Sequence, residues 1–218
     1  MSVVAIMHRS KRPREKPGPT EQADPRRAPV ALARAAAAGD LRAAQELVEL
    51  VSPALARAVY SIMGSTHREA EDVVQQALIA FVQALAAFRG DSHPTTYATR
   101  IAVRTALATR RRNRSERSRR EAFAELAELR RSAPGTPIDQ LQAAARRALV
   151  RHLLDELPDE QAETLALHIV VGLSLKDVAE ATGAPVNTVK SRLRLAKRAL
   201  RKRVEAEPGL AEELGVAP

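Results

Sequence analysis

Asn187, Thr188, Lys190, Ser191, Arg192 and Arg194 lie within eight residues of one another. Amide, hydroxyl, ammonium and guanidinium groups so grouped can hydrogen-bond to base edges and phosphates of duplex DNA. The intervening positions Val186, Val189, Leu193, Ala196 and Leu200 recur at helical spacing, so one apolar side anchors the polar one. Upstream, Ser174 is placed to cap a short helix whose third position, Asp177, can reach back to the cap's own N–H. Gly183 ends that helix and Pro185 suits the first turn of the next. Two helices joined by a tight turn, the second of them basic, read as a helix-turn-helix whose second helix enters the major groove N-terminus first. Arg194, Lys197, Arg198 and Arg201 fall further along, suited to phosphates. Eight Lys or Arg and no acid stand between Asn187 and Arg203. A solvated helix closing a bundle could carry such charge, but pattern, turn and charge together favour DNA.

The formal net charge of +9 hides a segregation. Residues 1–29, 110–120 and 187–203 together hold 22 basic and 4 acidic residues, leaving 13 basic and 22 acidic elsewhere. Basic segments on an acidic body imply oriented, salt-dependent binding rather than uniform stickiness.

The 218 residues, rich in Ala and Leu with 9 Gly, point to an all-α fold with one or two cored domains. No cysteine is present, which excludes disulfides and Cys-ligated zinc. No run approaches the roughly 18 apolar residues of a membrane span, and the N-terminus shows no leader pattern, so no membrane insertion is expected and the cytoplasm is the expected compartment. An enzyme is not indicated. His8, His67, His93, His152 and His168 are scattered, no phosphate loop is present, and no nucleophile triad assembles. His67 and Glu71 could share a helical face, but without a further ligand they read as an ion pair, so neither metal nor cofactor is implied. His168 reads as a packed side chain.

Along the chain, residues 1–28 are proline-broken and charged and read as a disordered basic tail. Short helices follow near 29–38, 41–50 and 53–63, separated by Gly39-Asp40 and Ser52-Pro53. A longer helix begins after Thr66, which can form a capping box with Glu69, and runs to about Ala87. Its stripe is Ala70, Val73, Val74, Ala77, Leu78, Phe81, Val82 and Leu85; Glu71, Asp72, Gln75, Gln76 and Gln83 lie off it, forming either solvent surface or a docking face. A break at Phe88–Pro94 precedes a helix from near Thr95 that grows basic, with seven Arg and one Glu in 110–120, more than the helix dipole requires. Residues 114–137 read as a flexible linker. Ile138 to about Leu157 reads as a helix ended by Pro158, and Asp159 and Glu160 open another in which Ala162, Leu165, Ile169 and Val170 would bury against the helix-turn-helix.

Three quoted stretches, Glu71-Asp72-Val73-Val74-Gln75-Gln76, Phe88-Arg89-Gly90-Asp91-Ser92 and Thr96-Tyr97, resemble the second conserved region of the extracytoplasmic-function sigma factors of bacterial RNA polymerase. Leu157-Pro158, Gly172 to Ala179 and Thr188-Val-Lys-Ser-Arg-Leu193 resemble the fourth. The resemblance covers about 37–113 and 138–205. It implies two helical domains, a region-2-like bundle at 29–113 and a region-4-like helix-turn-helix at 138–206, with a tail at 207–218. It further implies a transcription initiation factor that binds core RNA polymerase and promoter DNA, monomeric when free, with an anti-sigma factor as a further partner. Glu71, Asp72, Gln75, Gln76 and Gln83 would meet core polymerase. Phe88, Arg89, Tyr97, Arg100, Arg104, Arg110, Arg111 and Arg112 would meet the melted promoter element. Asn187, Thr188, Lys190, Ser191, Arg192, Arg194 and Arg198 would meet the upstream element as duplex. The connector would thread polymerase, although a plain tether fits the residues equally well.

The chain departs from the family pattern at several positions. Gln76 replaces an acid that would face a basic clamp surface, Ala162 replaces an arginine, Tyr97 replaces a tryptophan, Pro94 stands at a usual aromatic, and Arg104 and Ala108 align with Asn and Asp. Two other readings fit part of the sequence: a helix-turn-helix regulator acting without core polymerase, and a module that sequesters another transcription factor. The first predicts autonomous binding to a palindromic operator by a dimer; the second needs no DNA and leaves the basic segments without purpose.

Overall fold

The computed structural model describes residues 27–64, 67–116, 150–151 and 153–206. The expected N-terminal and C-terminal tails (except Arg27 and Ala28), most of the linker, the Thr66 cap and the helix over 138–149 lie outside the described residues. Among the described residues the fold is helical, as the composition predicts, with α1 at Arg27–Ala37, α2 at Leu41–Met63, α3 at Ala70–Ala84 and α4 at Pro94–Glu116. Further along lie α5 at Asp159–Leu165, α6 at Leu175–Thr182 and α7 at Val186–Glu205.

Asp40 starts α2 by accepting the Ala43 N–H on its carboxylate at 3.1 Å. The helix then passes through Pro53, so the two helices expected at 41–50 and 53–63 are one. Leu47, Val51, Leu55, Ala58, Val59 and Ile62 form an unbroken buried stripe across the proline. That burial, at about 1.5–3 kcal/mol per large side chain, outweighs the single hydrogen bond that proline removes. Pro53 itself is exposed, and the Ser52 hydroxyl donates to the Val48 carbonyl at 2.5 Å beside it.

α2 packs against α1, α3 and α4, burying Phe81, Ile62, Met63 and Val103 among others. α3 begins at Ala70, preceded by a turn in which His67 Nδ1 accepts the Glu69 N–H at 3.2 Å. His67 therefore stands outside the helix and shares no helical face with Glu71. Asn113 donates to Glu69 at 2.7 Å, tying the far end of α4 to the start of α3. After α3 a 3₁₀ turn, Leu85–Ala87, leads to the Phe88–Ser92 loop.

α5 continues into a π-helical turn, Ala166–Val170. The wider turn rotates the positions behind it. Leu167 is buried while Ile169, expected in the core, is 50% exposed. His168 is half-buried with Nδ1 2.7 Å from the Leu173 carbonyl, a packed side chain as expected. Ala162, Leu165, Ala166, Val178, Val189 and Leu193 join α5, α6 and α7 in a core continuous with that of the first four helices.

The helix-turn-helix forms as its spacing predicts, with one change at the cap. Ser174 accepts the Asp177 N–H at 3.1 Å, and its hydroxyl donates to the Asp177 carboxylate at 2.6 Å, so the carboxylate meets the hydroxyl instead of the cap's N–H. Gly183 ends α6 at φ 65°, ψ 17°, with open space where a Cβ would stand. Gly183→Ala should therefore cost about 1 kcal/mol, all of it backbone strain. A denaturation midpoint equal to that of the parent would contradict this account of the turn.

Candidate nucleic-acid interface

Val189, Leu193 and Ala196 seat α7 in the core, with Leu200 partly buried beside them. Val186, expected on that side, is 39% exposed at the helix start. The seating turns Asn187, Ser191, Arg194 and Arg198 outward in one row, all exposed, with Lys190, Lys197 and Arg201 exposed alongside. Thr188 is also exposed, about 100° from Asn187 around the helix. Arg192 lies about 140° from Asn187 and its guanidinium pairs with Glu160 at 2.6 Å. The structure thus places Arg192 at the flank of the row, held by the start of α5.

The residues expected near a melted base divide similarly. Tyr97 is half-buried with its ring centroid 5.1 Å from Phe88 and 6.4 Å from Phe81, both tilted. Its hydroxyl donates to the Ala84 carbonyl at 3.5 Å. A small aromatic platform therefore joins α3, the following loop and α4. Gly90, at φ 83°, lets that loop lie on α1; a Cβ there would come within 3.1 Å of Val30 and 3.2 Å of Arg34. Arg89, Arg104 and Arg112 are exposed. Arg100, Arg104 and Arg111 share one side of α4 with Tyr97, whereas Arg110 lies about 100° round from Arg111.

Three of these arginines are engaged with the chain's second half. Arg100 pairs with Glu163 at 2.6 Å and donates to the Ala181 carbonyl at 2.9 Å. Arg110 grips Asp155 with two parallel hydrogen bonds, at 3.0 and 2.7 Å. Arg111 pairs with Asp159 and donates to the Leu157 carbonyl at 3.2 Å. The acids recur every fourth residue, a spacing the sequence displayed but which carried no signal without its partners.

On α3, Glu71, Asp72, Gln75, Gln76 and Gln83 are all exposed. Their face spans about 140° and also carries Ile79, 58% exposed, and Val82, 45% exposed. Val82 thus lies outside the core that its place in the apolar stripe predicts. Ile79 and Val82 both stand amid polar neighbours on the outward side, an apolar centre with a polar rim of the kind found in protein interfaces. Ala162 is fully buried, so that position offers no side chain to any partner. No described helix is long and apolar enough to cross a membrane.

Residues 47–116 match the family model for sigma-70 region 2, and residues 147–200 match that for sigma-70 region 4. The chain is 34% identical over 145 residues to the RNA polymerase sigma-H factor of Pseudomonas aeruginosa, covering 63% of this chain and 74% of that protein. It is 33% identical over 144 residues to the ECF RNA polymerase sigma-E factor of Escherichia coli K12, covering 62% of this chain and 73% of that protein. A solved structure of the sigma factor RpoE with the anti-sigma factor NepR from Bartonella quintana is similar at 23% identity and a TM-score of 0.44, covering 80% of this chain and 98% of that one.

Proposed function

The chain belongs to the extracytoplasmic-function sigma factors of bacterial RNA polymerase, and from that premise we propose how its surfaces divide the work of promoter-specific initiation. The exposed row on α7 carries the reading. Asn187, Lys190 and Ser191 meet base edges of the upstream element as duplex, with Thr188 at the margin, while Arg194, Arg198, Lys197 and Arg201 meet its phosphates. Arg192 steadies the helix against α5. The α3 face, Glu71, Asp72, Gln75, Gln76, Gln83 and the apolar pair Ile79 and Val82, docks on core polymerase. The Tyr97 platform and the loop around Phe88 and Arg89 lie against the melted element, whose phosphates are taken by Arg100, Arg104, Arg110, Arg111 and Arg112.

The functional units in this reading are 29–113 and 138–206, joined by 114–137. The chain acts as a monomer in the cytoplasm and the bond-making chemistry belongs to the polymerase. An anti-sigma factor as inhibitory partner follows from family membership.

Footprinting of the polymerase–chain complex on promoter DNA tests the assignment. Lys190→Ala should weaken occupancy of the upstream element by about 1–3 kcal/mol, whereas Arg198→Ala should mainly flatten the salt dependence. An unchanged upstream footprint with Lys190→Ala would contradict the groove assignment. The regulator acting without polymerase is not favoured, since it leaves the region 2 match and the α3 face unexplained.

A further inference from the structure

The loop beside Tyr97 rests on α1, a helix that lies ahead of the residues matching region 2. α1 packs on the 3₁₀ turn Leu85–Ala87 that leads into the loop, and Val30 and Arg34, one helical turn apart on one face, meet the loop itself. The contact is close. A Cβ built on Gly90, which takes φ 83°, would stand 3.1 Å from Val30 Cγ1 and 3.2 Å from Arg34 Nη2, so the Arg34 guanidinium lies over the loop backbone. Arg34 is the sole charged residue between Ala28 and Gly39. It is exposed, and its N–H donors meet no acceptor among the described residues, the exposed Asp91 of the same loop included. Arg100, Arg110 and Arg111, by contrast, each hold an acid of the chain. A cation in the last turn of α1 suits the helix dipole. The guanidinium nevertheless bonds to none of the last carbonyls and lies on the loop instead.

We propose that Arg34 is a further nucleic-acid-binding residue: it takes a backbone phosphate of the melted strand, next to the base held at the platform of Tyr97 and Phe88. A planar guanidinium with unspent donors matches phosphate oxygens bidentately. Its seat on Gly90 holds it in place beforehand, so less side-chain freedom is lost when phosphate arrives. The melted strand then runs from α4 across the loop to α1, with phosphates taken at both ends and a base stacked between. Gly90 serves this path twice, by its left-handed backbone and by the close approach that only a residue without Cβ allows. The inference rests on the assignment of the Phe88–Ser92 loop to the melted element.

The full chain and its variants are assembled with core polymerase and bound to a fork-junction DNA, built from a promoter that the complex protects. This DNA is duplex through the upstream element and single-stranded beyond it. Affinity is followed from about 0.05 M to about 0.3 M salt, where one phosphate contact to a single strand contributes about 0.7 to the slope of log K against log salt. Arg34→Met should therefore flatten the slope by about 0.7 and weaken binding about fivefold at about 0.1 M salt. Arg34→Lys, which keeps the charge, should retain most of the slope. Methionine keeps an unbranched stem over Gly90, so a weaker complex with the parent's slope would mean that Arg34 only supports the loop, and would overturn the proposal. Weaker association with core polymerase in the absence of DNA would place Arg34 against protein and overturn it too. Arg104→Met, on the exposed side of α4, tests the underlying reading in the same titration. A slope changed by Arg104→Met but not by Arg34→Met overturns the proposal alone. A slope changed by neither overturns the assignment of the melted element, and the proposal with it. Should Arg34→Met fail to fold, Arg34→Gln carries the same comparison.

Discussion

Phe81→Ala is expected to lower the stability of the chain by about 3–5 kcal/mol, a large part of what a domain of this size possesses. Phe81 heads the largest side chains that are fully buried. It sits where α3 packs on α2 and α4, and its ring is 6.4 Å from that of Tyr97. Its removal leaves a cavity in a core otherwise built largely from Leu, Val and Ala, which cannot swing inward to fill it. It also removes one wall of the platform that positions Tyr97 and Phe88. Denaturant unfolding measures the loss, and Phe81→Leu should recover much of it. A loss below about 1 kcal/mol for the alanine variant would mean that the α3–α4 packing is not as described.

The second large effect falls on the outward side of the same helix. Ile79→Lys should weaken association with core polymerase by about 2–4 kcal/mol, roughly 30- to 1,000-fold, while leaving stability nearly unchanged. The two parts of that expectation come from one observation. Ile79 is 58% exposed, so folding uses little of its surface and a partner can use the rest. Its place among Glu71, Asp72, Gln75 and Gln76 would put it at the desolvated centre of a docking face, where truncations cost most. Gln76→Glu should act in the opposite direction and by less, about 0–1 kcal/mol, because an added charge on a wet rim gains little. Equal affinity of Ile79→Lys and parent for core polymerase would move the docking face elsewhere.

What could be read before the fold was known followed from local chemistry. The Ser174 cap, the Gly183 turn and the apolar spacing of Val189, Leu193 and Ala196 are satisfied within a few residues, so the helix-turn-helix and its exposed row were legible. Pro53 was misleading because its local cost is outweighed by a buried stripe that only the bundle supplies. Ile169 reads as core on an ideal helix, and the π-helical turn displaces it; Val82 reads as core from its apolar side chain, whereas the regular helix α3 sets it beside Glu71 and Gln75 on the outward face. The pairing of Arg100, Arg110 and Arg111 with acids 45 to 63 residues away had no local signature at all. Basic charge on α4 suggested a phosphate partner, but periodicity could not show that the chain offers carboxylates of its own.

In this reading the chain gives core polymerase its promoter. The most direct measurement is run-off transcription by sigma-free bacterial core polymerase, with and without the purified chain, on the DNA upstream of the chain's own gene. The expected result is a defined start site that depends on both components and is lost with Ile79→Lys. No start with the complete mixture, together with protection of a palindromic site by the chain alone, would contradict it.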